Sequence, residues 1–509
     1  MSSKIRRTDR IIPAVRNDGG RRVVSFLPVR AGFDAASRSP EAMRHFAGAN
    51  FLSADAALSP DVRRTIISRV RNEVVNNGYA WGILDTLAEH CIGTGPRLQL
   101  FPAEDCDEQT ADTLEEAMER RERRFRQWCR DVGLCGKLKI ARKAKARDGE
   151  VFLRKSINPK IRNSVKLDIT LFESEQVGSP LLSVTPEYYD NGTPKEVDGI
   201  LYDRYGNAGA YRFWTLHPGA AGVANTLVGD SYLVNADQVI HYANLERPGQ
   251  HRGLSEFAST LNIFNDMRRY DSAVLAAAET AAEISFVLYT DNPALEDDVD
   301  DEHRQHYYPG TVMELSRNSG VTLPEGWKAT QMKAEQPTST HTEFIRTMLR
   351  KAARAFSMPL NVALGDSSSF NYASGRLDHQ TYFRVIRGER ALIEEKILDD
   401  LLRNWEQVDR VMWPEDYPAD IEIDHTWMWD GFAHVDPLKE ASAQNIRLNL
   451  SGTSTLAEEC AMEGKDWGKV LRQRKRENDL KKRYGLPDTQ NNQTGADAVP
   501  PEEEEKHEE

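Results

Sequence analysis

The sequence contains no run near the roughly 20 apolar residues that a bilayer-spanning helix needs, so no transmembrane helix is expected. Cysteine is scarce: five among 509 residues, at Cys91, Cys106, Cys129, Cys135 and Cys460, with no C-x-x-C pair. That spacing excludes a thiolate zinc site of the usual kind, and the odd count argues for reduced thiols in a cytoplasm-like compartment. The amino end is basic and lacks an apolar core, so it does not read as a secretory signal. No G-x-x-x-x-G-K-[ST] run is present, which removes the phosphate loop of a motor ATPase. Gly93-Thr94-Gly95 lacks a third glycine and follows a helical pattern, which argues against a dinucleotide site. There is no H-E-x-x-H and no G-x-S-x-G elbow. A serine triad assembled from distant positions has no support here above background. Positive charge is also in deficit, with 66 Lys+Arg against 79 Asp+Glu and a net charge of −13. A domain that grips DNA carries a basic face, so the balance speaks against tight nucleic-acid binding. It speaks less against a duplex that slides, because strong phosphate neutralisation creates sites the duplex must repeatedly leave.

What is present is a chain of ordinary apolar content, long enough for more than one compact region. In residues 1–45, Lys4, Arg6, Arg7, Arg10, Arg16, Arg21, Arg22 and Arg30 outnumber Asp9 and Asp18, which reads as a solvated basic arm. A helix opens at Ser59-Pro60-Asp61, where serine suits the N-cap, proline the first turn and aspartate the positive helix end. Asn76-Asn77-Gly78 interrupts it and a second helix runs toward His90; residues 113–130 form another, dense in charge. From Gly149 the period changes to that of strands, over 150–154 and 166–172. Runs 199–203 and 210–216 flank Gly206-Asn207, a hairpin turn in composition. Strands separated by helices predict an α+β body.

The helix at residues 255–283 is unusually long. Ile263, Met267, Tyr270, Val274, Ala277, Ala281 and Ile284 alternate at four and three, as on a helix packed along its length. Periodicity alone fits either a helix in a large core or a strut packed against copies of itself. A strand at 284–289, an acidic run at 296–302 followed by His303 and His306, and a returning strand at 311–315 come next; the acidic run reads as a solvated loop and not as a metal site. Residues 342–357 then carry an apolar stripe (Phe344, Met348, Ala352, Phe356, with Ile345, Leu349 and Ala353) and a basic one (Arg346, Arg350, Arg354, with Lys351). Met358-Pro359 stops that helix. The loop Leu364-Gly365-Asp366-Ser367-Ser368-Ser369-Phe370-Asn371-Tyr372-Ala373-Ser374-Gly375 follows, and a long helix through Ile386, Ile393, Ile397 and Leu401 closes the unit. Beyond Trp405, residues 421–424 read as a strand and Trp427, Trp429 and Phe432 as core. Asp424, His425, His434 and Asp436 read as polar residues around that strand and not as metal ligands. Helices span 437–484, with a capping box at Thr455–Glu458, and 486–509 is an acidic tail of disordered composition.

The run "RAFSMPLNVALGDSSSFNYASGRLDHQTYFRVIR" resembles the lambda-type bacteriophage portal proteins. Their pattern is a helix ending in a V/M-P turn, a Gly-Asp loop, then Asn-Tyr-Ser-Ser-x-Arg. Here the last piece is Asn371-Tyr372-Ala373-Ser374-Gly375-Arg376, with alanine for the usual serine and Gly375 before the arginine. Further blocks agree in order: "RNEVVNNGYAWGILDTLAEHCIGTG", "RDGEVFLR", "GILYDRYGNAGAYRFW", "HYANLERPGQHRGLSEFASTL", and "VDPLKEASA" with "GTSTLAEECAMEGKDW". Together they cover about residues 45–475.

The resemblance implies an α+β portal fold: a mixed α/β wing, long stem helices, a small α/β clip and a helical crown. On that scheme 1–45 is a flexible basic arm, 46–250 the wing, 251–284 the first stem helix and 285–338 the clip. Residues 339–358 are the second stem helix, 359–376 the tunnel loop, 377–434 a long helix returning to the wing, 435–484 the crown, and 485–509 an acidic tail. It implies a homo-oligomeric ring, dodecameric in that family, at the portal vertex of a virion capsid, its chains made in the bacterial host cytoplasm. Double-stranded DNA would pass through its channel. A terminase large subunit, a head-completion or tail connector protein, and the major capsid and scaffold proteins would dock on it. The channel loop would present Gly365, Asp366, Ser367, Ser368, Ser369, Phe370, Asn371, Tyr372, Ser374 and Arg376. Arg346, Arg350, Lys351 and Arg354 would meet phosphate or a neighbouring subunit's acids. Met267, Tyr270, Val274, Ala277 and Ala281 would pack the stem. Neither catalytic residue, cofactor nor metal is expected. The competing readings are a terminase- or nuclease-like packaging enzyme and a scaffold that forms no ring.

Overall fold

The computed structural model describes residues 14–18, 21–25, 39–102, 108–180, 187–220, 230–283, 287–290, 327–330, 340–368, 372–418, 421–432 and 437–485. Two units separate, 1–57 and 58–509. The first does not follow the plain-arm expectation. Strands β1 (Ala14–Asp18) and β2 (Arg21–Ser25) pair antiparallel, and helices α1 (Pro40–His45) and α2 (Ala54–Ala57) follow. Ser39 caps α1 by accepting the Ala42 N–H at 3.1 Å.

The larger unit begins with α3 (Pro60–Asn76) and α4 (Gly78–Ile92). Ser59 holds the N-cap position of α3 but makes no side-chain cap; Asn77 does cap α4, accepting from the N–H groups of Tyr79 and Ala80. β3 (Arg97–Pro102), α5 (Glu108–Asp131) and α6 (Leu134–Asp148) come next. The sequence reading gave α6 no helix. Its buried side includes Arg142 and Lys145 beside Leu138 and Ala141, so its inward stripe reads as surface.

β4 (Glu150–Ile157) is the middle strand of an antiparallel sheet between β5 (Leu167–Phe172) and β10 (Val239–Ala243). A second antiparallel sheet runs in order through β6 (Glu196–Val197), β7 (Ile200–Tyr202), β8 (Ala208–Trp214) and β9 (Ser231–Asn235). β9 and β10 lie outside the strands that the sequence predicts. That helix, α7, spans Leu261–Glu283, so residues 255–260 lie outside it. β11 (Val287–Thr290) pairs with β12 (Trp327–Thr330). The strand expected at 311–315, the acidic run at 296–302, and His303 and His306 lie outside the described residues.

α8 (Thr340–Ala355) and α9 (Leu360–Leu364) lead to α10 (Tyr372–Ile393), which continues through a π-helical turn at Glu394–Leu398 into α11 (Asp399–Met412). β13 (Ile423–Met428) returns to pair with β3, residue Met428 opposite Arg97. α12 (Pro437–Asn445), α13 (Leu456–Met462) and α14 (Trp467–Tyr484) complete the chain. Thr455 and Glu458 form the reciprocal capping box of α13.

The core is apolar along α4, α6, α8, α10 and α11, with Phe125, Trp128, Trp405 and Trp427 packed as one aromatic cluster. At its edge lies a buried ionic knot. Glu150 is fully buried at the start of β4 and receives the guanidinium of Arg63 from α3 at 3.0 Å and that of Arg252 at 2.6 Å. The N–H of Gly253 and the His241 ring reach its other oxygen at 2.8 and 2.9 Å. Both arginines also contact the Asp198 carboxylate. Burial alone would push the Glu150 carboxyl up. The charge of Arg252, the His241 bond and the charge of Arg63 outweigh it and hold the carboxyl well below the usual range. Gly149 and Gly253 meet backbone to backbone there: a Cβ on Gly253 would stand 2.1 Å from the Gly149 carbonyl oxygen.

Glu150→Gln leaves two buried guanidiniums short of a counter-charge. It should lower unfolding stability by about 3–5 kcal/mol, read from the urea midpoint. Because the folded-state pKa of Glu150 is depressed, its contribution is complete above the unfolded carboxylate range near 4.3 and is lost as pH falls below it. The stability gap between the parent and Glu150→Gln should therefore shrink on acidification below about pH 4.

Candidate functional site

One face of the proximal half of α7 packs inside the subunit: Phe264 and Met267 are buried, Tyr270 stacks on His341 of α8 at 5.4 Å between centroids, and it meets Phe344 at a tilt at 4.6 Å. The His341 ring also hydrogen-bonds Asp271 at 3.0 Å. Beyond Tyr270 the environment changes. Val274 is half-buried, Ala273, Ala276 and Ala277 are exposed, and Leu275 is 61% exposed. The expected packing set thus divides: Met267 and Tyr270 are covered within the chain, Ala277 is not, and the side chain of Ala281 lies outside the described residues.

α8 presents two faces. Ile345, Leu349, Ala352, Ala353 and Phe356 are buried, whereas Phe344 is 42% exposed despite sharing the apolar stripe. Arg350, Lys351 and Arg354 are exposed and form no ion pair with a described residue; Arg346 is half-buried. The helix ends before the Met358-Pro359 signal, through a left-handed Ser357 (φ 50°) and a Met358 N–H that reaches back to the Ala353 carbonyl at 3.1 Å.

The next segment corrects the expected loop in two places. Residues 360–364 form α9, closed by Gly365 in the left-handed conformation (φ 68°). α10 starts at Tyr372, so Tyr372, Ser374 and Arg376, expected in the loop, lie on its first turns together with Ala373 and Gly375. Gly365, Asp366, Ser367 and Ser368 are exposed between the helices, while Ser369, Phe370 and Asn371 lie outside the described residues. Asp366 accepts the Ser368 N–H at 2.9 Å. That bond, a second one from the Ser368 hydroxyl, and the charge of Arg346 hold the Asp366 carboxyl below the usual range.

Sequence reasoning missed the residue that anchors this loop. The Asn361 side-chain NH2 lies 3.3 Å from both Ser367 Oγ and His379 Nε2, and the Asn361 backbone carbonyl accepts the Asp366 N–H at 3.2 Å. One polar residue within the apolar run Leu360–Leu364 was the available signal. Beside the anchor lies a groove of about 520 Å³ bordered by Asn76, Asn77 and Gly78, by Met267 of α7, and by Leu364 and Gly365. The early Asn-Asn-Gly block and the start of the loop are therefore neighbours in space.

Among the described residues, the one set of His and carboxylate groups close enough to share a metal is Glu173, Glu175 and His217. Arg71 already lies 2.9 Å from Glu175 and 3.7 Å from Glu173, so the set is satisfied as an ion-pair cluster. His425 hydrogen-bonds Asp399 at 3.1 Å; His434 and Asp436 lie outside the described residues.

The helix pair α7 and α8 thus leads into a short polar loop held between α9 and α10. The family model for phage portal proteins of the lambda family matches residues 43–390. The chain belongs to that family. No curated protein matches it. Among solved structures, the neck of a native gene transfer agent particle computed with C12 symmetry shares 14% identity, covering 79% of this chain and 94% of that one at a TM-score of 0.43. The neck of the empty particle, computed with C6 symmetry, also shares 14% identity, over 79% and 93% of the two chains at 0.45. An HK97-family phage portal protein from Corynebacterium diphtheriae shares 12%, over 76% and 97%, at 0.25.

Ser357 adopts a conformation that costs a side-chain-bearing residue about 1 kcal/mol and glycine almost nothing. Ser357→Gly should raise the melting temperature by a few degrees without altering assembly; unchanged or lower melting would show that the Ser357 side chain offsets the strain.

Proposed function

We propose that this phage portal subunit assembles into a closed homo-oligomeric ring at one vertex of a virion capsid, and that double-stranded DNA passes through it during packaging and ejection. The observation that carries the reading is the distal half of α7. It exposes Ala273, Leu275, Ala276 and Ala277 along the same helix that buries Phe264 and Met267 in its proximal half. Small residues let helices approach closely, and an exposed apolar length on a long helix calls for a partner. In a ring that partner is the same helix pair of the next subunit, through two different complementary surfaces and a rotation that closes. Twelve copies is the count the family resemblance implies.

On this reading α7 and α8 are the stem and β11 with β12 the base of the clip. The exposed Gly365–Asp366–Ser367–Ser368 stretch begins the channel loop, and α12–α14 are the crown. A serine- and glycine-rich loop offers weak, exchangeable contacts, as a moving duplex requires. Arg350, Lys351 and Arg354 meet either its phosphates or the acids of an adjacent subunit, with Arg346 tied closer to Asp366. The terminase large subunit would dock on the clip and drive packaging, since the sequence lacks a phosphate loop of its own; the head-completion or tail connector protein would follow it there. Major capsid and scaffold proteins would contact the wing. The chain itself would catalyse nothing and bind no cofactor. Synthesis would take place in the host cytoplasm.

Ala277→Trp should leave the subunit folded, because Ala277 is exposed within it, yet block ring formation by overpacking the interface. Native mass measurement and electron micrographs of parent and variant decide this; normal rings from the variant would remove α7 from the interface. Removal of residues 366–371, which spares the Gly365 cap and α10, should leave rings intact and reduce DNA packaging or retention. Heads that fill normally with the shortened loop would end its role as a channel contact.

A further inference from the structure

We propose that the acidic run Glu502–Glu505 of this chain docks on the outward side of α14 and covers its cations. In a chain of net charge −13, residues 467–484 hold eight Lys or Arg against two Asp or Glu. Lys469 lies 2.7 Å from Glu122, and Arg472 pairs with Glu115 and, at 2.6 Å, with Glu119, so one side of α14 is neutralised against α5. At 3.6 residues per turn, Arg474, Lys475 and Lys482 fall on the opposite side. All three are exposed and form no ion pair with a described residue. Asn478 and Lys481 are half-buried, and Lys481 is engaged elsewhere, so neither belongs to this open side. Lys482 lies in the last turn and complements the helix dipole, but that effect fades within a turn and does not reach Arg474 and Lys475. Like charges gathered on one side of a helix repel, and a covering counter-charge relieves them.

The chain carries that counter-charge close at hand. Gly485, left-handed at φ 66°, ends α14 with its N–H on the Lys481 and Lys482 carbonyls, and Pro487 cannot continue the helix. Residues 486–509 lie outside the described residues. In sequence they hold eight Asp or Glu against one Lys, with four consecutive glutamates at 502–505. About 17 residues join Gly485 to Glu502, a reach of up to about 56 Å. Lys475 stands only about 15 Å back along the helix from Gly485. Tethering holds the glutamates at a high local concentration beside the open side of α14. A duplex or an acidic segment of another protein reaches the same side from solution, without that advantage. Each exposed ion pair is weak, so the contact depends on several pairs together and on salt. It lies outside the stretch 43–390 that the family model matches, and it does not require the ring.

The test uses the full chain and a carbodiimide, which condenses a carboxylate with a lysine amine where the two touch. The protein is treated at about 0.1 M and about 1 M salt, between which the screening length falls from about 10 to about 3 Å. Joined peptides are measured by mass spectrometry. Glu502–Glu505 should join Lys475 or Lys482 at the lower salt, with a yield at least about fivefold smaller at the higher. Arg474→Gln, which leaves both lysines in place, should lower the yield about twofold. Cross-links absent at low salt overturn the proposal and leave the open side to duplex DNA or another protein. Cross-links of equal yield at both salts, or unmoved by Arg474→Gln, overturn it as chance collisions of a tethered segment. In protein prepared from mixed isotope-labelled and unlabelled chains, each joined pair should carry one isotope. Mixed pairs would assign the run to a neighbouring copy and overturn its docking within the chain. Native mass of the same samples reports ring formation, which keeps a failure here separate from a failure of the portal reading.

Discussion

One buried carboxylate organises this molecule. Glu150 accepts from α3 through Arg63, from the segment preceding α7 through Arg252 and the Gly253 N–H, and from β10 through His241. These residues are far apart in sequence and meet around a carboxylate that is fully buried. A buried ion pair is weak grounds for net stability, because the desolvation of both partners offsets most of the attraction. Its consequence is selective: any arrangement that moved one of the four elements would leave a charge buried and unpaired. The close approach of Gly149 and Gly253 has the same effect by steric means, since neither position has room for a Cβ.

That constraint fixes how the strut begins. Only a short segment separates Gly253 from Leu261, and Phe257 within it packs on Phe264 of α7 and on Phe356 after α8. The β sheet thereby determines the approach of α7, and α7 with α8 places α9 and the loop behind it. A second, half-buried carboxylate repeats the device: Glu389 of α10 holds Lys145 of α6 at 2.6 Å, the Tyr242 hydroxyl of β10, and Arg142 at 3.7 Å. Its neighbour Arg390 donates to the carbonyls of His90, Cys91 and Asp430, which closes the exposed end of α4. The charged residues hold the elements in place while the apolar core supplies the driving force.

Much of this was legible residue by residue. The α3–α4 break at Asn76-Asn77-Gly78, the β7–β8 hairpin, the buried face of α8 and the capping box at Thr455 follow from local rules that act within a few residues. α6 was not legible, because Arg142 and Lys145 look like surface until Glu256 and Glu389 arrive from over 100 positions away. β10 was hidden for a related reason: Val239–Ala243 is a short run whose strand character comes from pairing with β4. In the loop, serine, glycine and asparagine suggested irregular chain through 375, yet Tyr372 onward is helical. Asn361 escaped notice because its partners Ser367 and His379 come together only once α9 and α10 have turned back on each other.

The sequence by itself determined the family, the long amphipathic helices, the acidic balance, and the polar character of the segment between α8 and α10. The family is legible in the motif blocks and their order; the other properties depend on composition and on periodicities of 3.6 and 2, which neighbouring residues carry without knowledge of the fold. Only the tertiary structure decided which face of α7 is covered, which cations of α8 form no ion pair with a described residue, and which charges are buried. Burial and pairing belong to residues brought together across hundreds of positions, and a stripe of arginines or alanines reads the same whether its partner is inside the subunit or outside it.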